Sequence, residues 1–204
     1  MKKLKVTIIG YGGMGSFHAK LIQANPEVEV HGIFDILESR QQAGEADGYS
    51  AYVSLEEALD DETVDAILIA TPNDVHKEIA VQALEAGKHV ICEKPVTLNS
   101  EELSEIMHTA KEHERVFMVH QNRRWDSDFQ MVKDLYENRK IGEVFHIESR
   151  VQGANGIPGD WRHLKAHGGG MLLDWGGSFV GSAFVYDRQP VGESCCRFEL
   201  HIGR

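Results

Sequence analysis

The sequence predicts an α/β protein: a doubly wound parallel sheet over the first 121 residues, followed by an incomplete α/β second domain. Three observations predict it. Short β-branched runs alternate with segments of helical periodicity. The first run ends at a cluster of glycines that opens a helix, and the second closes on an acidic residue, Asp35. Strands alternating with helices pair in parallel through right-handed crossovers.

Leu4 to Ile9 is a β-branched run bounded by Gly10, so it reads as a buried strand. Met14 to Ala24 has helical periodicity and stops before Pro26. Val28 to Phe34 is the second strand. Ser54-Leu55-Glu56-Glu57 is a capping box at the head of a short helix. Val64 to Ala70 is the third strand, followed by Thr71-Pro72-Asn73. Asp74 is placed to cap a helix running to Ala86, and Gly87 suits the left-handed residue that ends it. His89 to Cys92 is the fourth strand, and Asn99-Ser100-Glu101-Glu102 caps a helix lasting to about Glu114. Val116 to His120 is the fifth strand. The pattern then changes, which sets a boundary between domains 1–121 and 122–204. Phe129 to Tyr136 reads as helix and Glu143 to Val151 as a longer strand, before a Gly-rich polar stretch.

A chain of 204 residues fits one or two domains, and 42% hydrophobic residues suffice for a core. The formal net charge of -11 repels phosphate backbones, so no nucleic acid partner is expected. No run is long enough to span a bilayer. The basic start lacks the long apolar core of a secretion signal, so a cytoplasmic location and no membrane partner are expected. Cys92, Cys195 and Cys196 are odd in number and irregular in spacing, against a disulfide framework and against zinc. The eleven histidines are scattered, and no pair has both ligand spacing and a nearby acid or thiol partner, so no metal is expected.

Gly10-Tyr11-Gly12-Gly13-Met14-Gly15 matches G-x-G-x-x-G, in the required place between a strand and a helix. Gly10 makes the tight turn, Gly12 lets backbone approach a pyrophosphate, and Gly15 lets helix and strand pack closely. The unpaired N–H groups of the helix start then face the phosphates. Asp35, twenty residues past Gly15, can accept hydrogen bonds from a ribose hydroxyl and would repel a 2′-phosphate. This Rossmann signature favours NAD, while Arg40 leaves NADP open. Methyltransferases and flavoproteins use the fold too, so the motif alone does not choose a chemistry.

The third and fourth strands end in Ala70-Thr71-Pro72-Asn73 and Cys92-Glu93-Lys94-Pro95. Ligands of open parallel sheets bind outside the carboxyl ends of the strands. A lysine there can share a proton with a substrate hydroxyl, although by spacing alone Lys94 is equally a surface lysine. These residues, with His76, Asn122-Arg123-Arg124, Trp161-Arg162 and Gly168 through Gly176, make the chain resemble the Gfo/Idh/MocA family of oxidoreductases over residues 4–176. The resemblance implies hydride transfer between NAD(P) and a hydroxyl-bearing carbon of a sugar, polyol or related small molecule. It implies Lys94 as the catalytic lysine and Asp174 as an acid on the substrate side. Thr71, Pro72, Asn73, His76, Glu93 and Lys94 would line the cofactor beside the Gly10–Gly15 loop. Trp161 and Arg162 match a segment near it. The full-length family implies a homo-oligomer.

The pattern breaks after Gly176. The family's Asp-x-Gly-x-His continues with a later aspartate, whereas Ser178 and Gly181 stand at those two positions here. Reading the codons of 177–190 one nucleotide later permits a string with histidine at 178 and aspartate at 181. A tail over 177–204 that is truncated or out of frame is therefore expected. A dinucleotide-binding protein without turnover is the alternative reading. Residues 122–204, supplying one long strand of a broad sheet, are expected to be unstable alone.

Overall fold

The computed structural model describes residues 2–144, 161–170 and 172–178. The chain separates into two compact units, Met1–His120 and Gln121–Arg204.

In the first unit six strands form one parallel sheet: β1 (Leu4–Ile9), β2 (Val28–Phe34), β3 (Ser50–Ala51), β4 (Ala66–Ile69), β5 (His89–Cys92) and β6 (Phe117–Val119). Their order is β3-β2-β1-β4-β5-β6. The chain thus winds outward from β1 in both directions, the doubly wound order with its switch point between β1 and β4. The helices are α1 (Gly13–Gln23), α2 (Glu38–Ala46), α3 (Leu55–Asp60), α4 (His76–Glu85) and α5 (Ser100–Glu112).

Alternation along each strand builds two cores, one per sheet face. Ile67 and Ile69 of β4 join Ala58, Leu59, Ile79, Ala83, Leu84 and Ile106 beneath α3, α4 and α5. Ala66 and Leu68 of the same strand join Val6, Ile8, Ile33 and Ala19 of α1 on the other face. Each fully buried isoleucine contributes about 1.5–3 kcal/mol.

Both capping boxes form. The Ser54 hydroxyl accepts the Glu57 N–H at 3.1 Å and Glu57 accepts the Val53 N–H at 2.7 Å. Asn99 accepts the Glu102 N–H at 2.9 Å and Glu102 accepts the Leu98 N–H at 3.0 Å. Gly87 ends α4 with φ of +76°. Asp74 does not cap α4. It sits in a 3-10 turn, Asn73–Val75, and α4 opens after Val75 without a side-chain cap. The sequence pattern does not announce α2 or β3. The α2 segment carries almost no apolar stripe, and its one buried residue is Gly44, pressed against Ile33.

The second unit holds a 3-10 turn Asn122–Trp125, helix α6 (Ser127–Glu137), two 3-10 turns Trp161–His163 and Lys165–His167, and a helix over 172–178. Glu143 and Val144, the start of the expected long strand, are irregular; the rest of it, and the tail after Ser178, lie outside the described residues.

Candidate functional site

Register places the site. Phe34 pairs with Ile9, Ile9 with Ile69, Ile69 with Cys92, and Cys92 with Val119. Five strands therefore end level, and the residues that follow them, Asp35, Gly10, Ala70, Glu93 and His120, share one edge of the sheet.

At the middle of that edge Gly10 has φ of +92°, and a Cβ there would lie 2.8 Å from the Ala70 carbonyl carbon and oxygen. A Cβ at Gly15 would lie 2.0 Å from the Gly10 oxygen. Only glycine lets α1 start this close to β1. The first turn of α1 has no side-chain cap, which leaves its N–H groups for an anion. Gly13 has open space above it, and Met14 is half-buried. Tyr11 lends the loop only its backbone. Its ring is buried, and its hydroxyl donates to Asp47 at 2.8 Å, which together raise its pKa.

Asp35 is buried and accepts the Tyr11 N–H at 2.8 Å through Oδ2 and the Leu37 N–H at 2.9 Å through Oδ1. These bonds fix its carboxylate at the end of β2, beside the glycine loop. Arg40 lies over the same loop: its Nη1 is 2.6 Å from where a Gly12 Cβ would stand and 3.4 Å from the Tyr11 carbonyl oxygen. One acid and one guanidinium thus flank the glycine loop.

On the other side of the switch point, His76 lies between two turns. Its Nε2 is 3.0 Å from the Thr71 carbonyl oxygen and its Nδ1 3.0 Å from the Pro95 carbonyl oxygen. Burial lowers its pKa against the opposing pull of those two carbonyls. Pro72 precedes the 3-10 turn in which Asn73 is buried. The Thr71 hydroxyl is buried with no partner, a polar atom that a bound ligand would satisfy. Lys94 is half-buried at the head of the turn, and its peptide bond to Pro95 is cis.

No pair of histidines has ligand spacing beside an acid in the sequence, yet the fold brings two of them to one carboxylate. The Glu93 Oε1 lies 2.7 Å from His18 Nε2 and 2.9 Å from His120 Nδ1, while its Oε2 accepts the Lys94 N–H at 3.1 Å. The three donor atoms lie within 4.8 Å of one another. Burial would push the Glu93 carboxyl up, but the two imidazoles outweigh it and hold it at about 2. Residues 75 and 27 positions apart in the chain leave no spacing signal.

Asp174 belongs to the second unit, on the helix over 172–178, with its Oδ2 4.0 Å from Arg162 Nε. The Arg162 guanidinium lies 4.6 Å from the Trp161 ring centre, and that of Arg123 5.0 Å from Trp175. Ser178 is buried.

The residues present fit a nicotinamide dinucleotide: an uncapped helix start behind a glycine turn, an acid at the end of β2, and an orphaned hydroxyl at Thr71. The first unit is thus a dinucleotide-binding Rossmann domain. Residues 4–121 match the oxidoreductase family with NAD-binding Rossmann fold named Gfo/Idh/MocA, and 129–177 match the Gfo/Idh/MocA C-terminal domain. The chain belongs to that family. It is similar to the structure of an NAD-binding protein from Listeria innocua, with 60% identity and a TM-score of 0.88, covering 90% of this chain and 54% of that one. It is similar also to GenD2 of gentamicin A biosynthesis, solved in complex with NAD, at 29% identity and a TM-score of 0.81, covering 91% and 54%. Among curated relatives, the scyllo-inositol 2-dehydrogenase (NADP(+)) IolW of Bacillus subtilis is 31% identical, over 87% of this chain and 50% of that protein. The chain spans about half the length of the curated relatives it matches. Among the described residues no helix is long and apolar enough to cross a membrane.

Proposed function

We propose that this chain is the cofactor-binding part of a nicotinamide-dependent dehydrogenase acting on a hydroxyl-bearing carbon of a polyol or sugar. The supporting observation is the level ending of the strands, which gathers the glycine loop, Asp35, the Thr71 turn and the Lys94 turn on one edge. IolW, an inositol dehydrogenase, supports the substrate class. The nicotinamide ring supplies the two-electron chemistry when bound. The chain's own residues then do four things. The start of α1 and the backbone of Gly12 and Gly13 hold the pyrophosphate. Asp35 takes the adenosine ribose through its carboxylate, and the Thr71 hydroxyl finds its partner at the nicotinamide end. Lys94 exchanges a proton with the substrate oxygen, giving it up in reduction and accepting it in oxidation.

Asp174, beside Arg162, is proposed as an acid that acts on the substrate. A second reading, dinucleotide binding without turnover, is favoured by Ser178. A buried serine there is a poor general base where the family pattern carries histidine.

NADH fluorescence titration followed by turnover with myo- and scyllo-inositol tests the proposal. Lys94→Ala should still bind NADH and lose hydride transfer by a factor of about 100 or more. Absence of binding to either NADH or NADPH would remove the whole reading. Binding without turnover across polyols and sugars would select the second one.

A further inference from the structure

We infer that His18 and His120 are positioning residues that act through Glu93 to hold the Lys94 turn in register with the dinucleotide-binding helix. The inference rests on the reading of Lys94 as the proton-exchanging group. The geometry itself stands without it.

Three elements converge here for reasons visible in their patterns. On β5, Val90 and Cys92 face the α4–α5 core. Ile91 and Glu93 therefore face the opposite side, toward α1. On β6, Phe117 packs toward the α4–α5 core. Met118 and His120 thus face with Glu93. On α1, His18 is three residues after Gly15 and four before Ile22, both of which turn toward the sheet. The middle of α1 and the ends of β5 and β6 thus deliver one buried carboxylate and two imidazoles to a single point.

A carboxylate held ionised accepts hydrogen bonds and donates none. Both short contacts to Glu93 Oε1 must therefore be donated by the rings, so His18 carries hydrogen on Nε2 and His120 carries hydrogen on Nδ1. The other oxygen receives the backbone N–H of Lys94. Glu93 is only 6% exposed, and a buried carboxylate is tolerated when its lone pairs are filled. Here they are filled by a helix, a strand end and the head of the Lys94 turn. The Pro95 carbonyl at the foot of that turn lies 3.0 Å from His76 Nδ1. The peptide carrying the lysine is fixed at its N–H by Glu93. Through His18 it is fixed to the helix whose first turn receives the phosphates.

The same three groups could suggest a cation, but their spacing is that of hydrogen bonds. A tetrahedral zinc at about 2.0–2.1 Å from each ligand holds its donor atoms about 3.3 Å apart. Both contacts to Oε1 are shorter, 2.7 and 2.9 Å.

The test uses the full chain, labelled with nitrogen-15. In the unaltered protein the imidazole nitrogen shifts should place hydrogen on His18 Nε2 and on His120 Nδ1. Amide exchange is then compared in His18→Gln and His120→Asn, whose side-chain amides put a donor near the lost ring nitrogen, and in His18→Leu and His120→Leu, which have none. The leucine variants should speed exchange of the Lys94 amide about tenfold and leave the Ile8 and Leu68 amides unchanged. The amide variants should restore most of the protection. Hydrogen on the opposite ring nitrogens would overturn the inference, as would an unmoved Lys94 amide, amide variants as loose as the leucine ones, or displacement of both ring hydrogens by stoichiometric zinc. If a leucine variant does not fold, the ring shifts and the amide variants still decide. Turnover surviving Lys94→Ala would remove the proton-exchange reading and leave these exchange results standing.

Discussion

Replacing Glu93 by glutamine keeps the shape of the side chain and removes its charge, and the structure fixes what that should cost. The carboxyl is held at about 2, against an ordinary value of 4.5. That difference is two and a half pH units at about 1.36 kcal/mol each, so the fold favours the ionised form by about 3 kcal/mol at pH 7. Glutamine forfeits this: with its amide oxygen in the place of Oε1 to accept both ring N–H groups, its amide hydrogens face the Lys94 N–H, which then lacks an acceptor. The sign follows from a depressed pKa. Stability from the carboxylate is fully present above about 4.5 and is lost as pH falls through the window down to about 2. Wild type and Glu93→Gln should therefore differ by about 3 kcal/mol near neutrality, and the gap should close below pH 4.5. All three tryptophans, Trp125, Trp161 and Trp175, lie in the second unit. Tryptophan emission would follow that unit, so urea unfolding should instead be followed through amide resonances of β1 and β4. A gap under about 1 kcal/mol at pH 7 would refute the account of the cluster. So would a gap of constant size from pH 7 to pH 3.

Two further substitutions probe the dinucleotide side. Gly15→Ala puts a Cβ 2.0 Å from the Gly10 oxygen and 3.3 Å from Ile8 Cγ2, so α1 must move away from β1 by about 1 Å. It should cost about 3 kcal/mol or more in thermal unfolding and weaken NADH binding at least about tenfold, and an unchanged NADH titration would show that the loop does not meet the pyrophosphate. Arg40→Ala removes the guanidinium over Gly12 while leaving Asp35 bonded to Tyr11 and Leu37. NADPH affinity should fall roughly three- to tenfold with NADH affinity unchanged; an equal fall for both would mean that Arg40 supports the loop and does not read the 2′ position.

Much of the fold is legible because it is local. β1, β2, β4 and β5 are runs that carry β-branched residues and are buried or half-buried on both faces, and such runs read as strands without help from elsewhere. Ser54 and Asn99 announce their helices because each cap bond spans three residues. The same logic explains the omissions. β3 is two residues long, and α2 is held less by an apolar stripe than by the close approach of Gly44 to Ile33, which belongs to another strand. Asp74 looked like a cap by type and place, yet the 3-10 turn after Pro72 starts the helix later than the aspartate requires.

The site divides along the same line. The glycine loop and Asp35 are legible because a turn, a helix start and a strand end are each specified within a few residues of chain. The partners of Glu93 are not, since which histidines reach it depends on pairing Cys92 with Val119 and on the face that α1 turns to the sheet. A one-residue slip of β6 against β5 would carry His120 to the other face and leave the carboxylate short of a donor. Stability of the Glu93 cluster and register of the edge strand are thus coupled. A sheet that pairs β6 correctly gains the His120 bond, and one that slips leaves a buried charge poorly satisfied. The histidines are scattered in the chain because the sheet, and not the sequence spacing, brings them to one carboxylate.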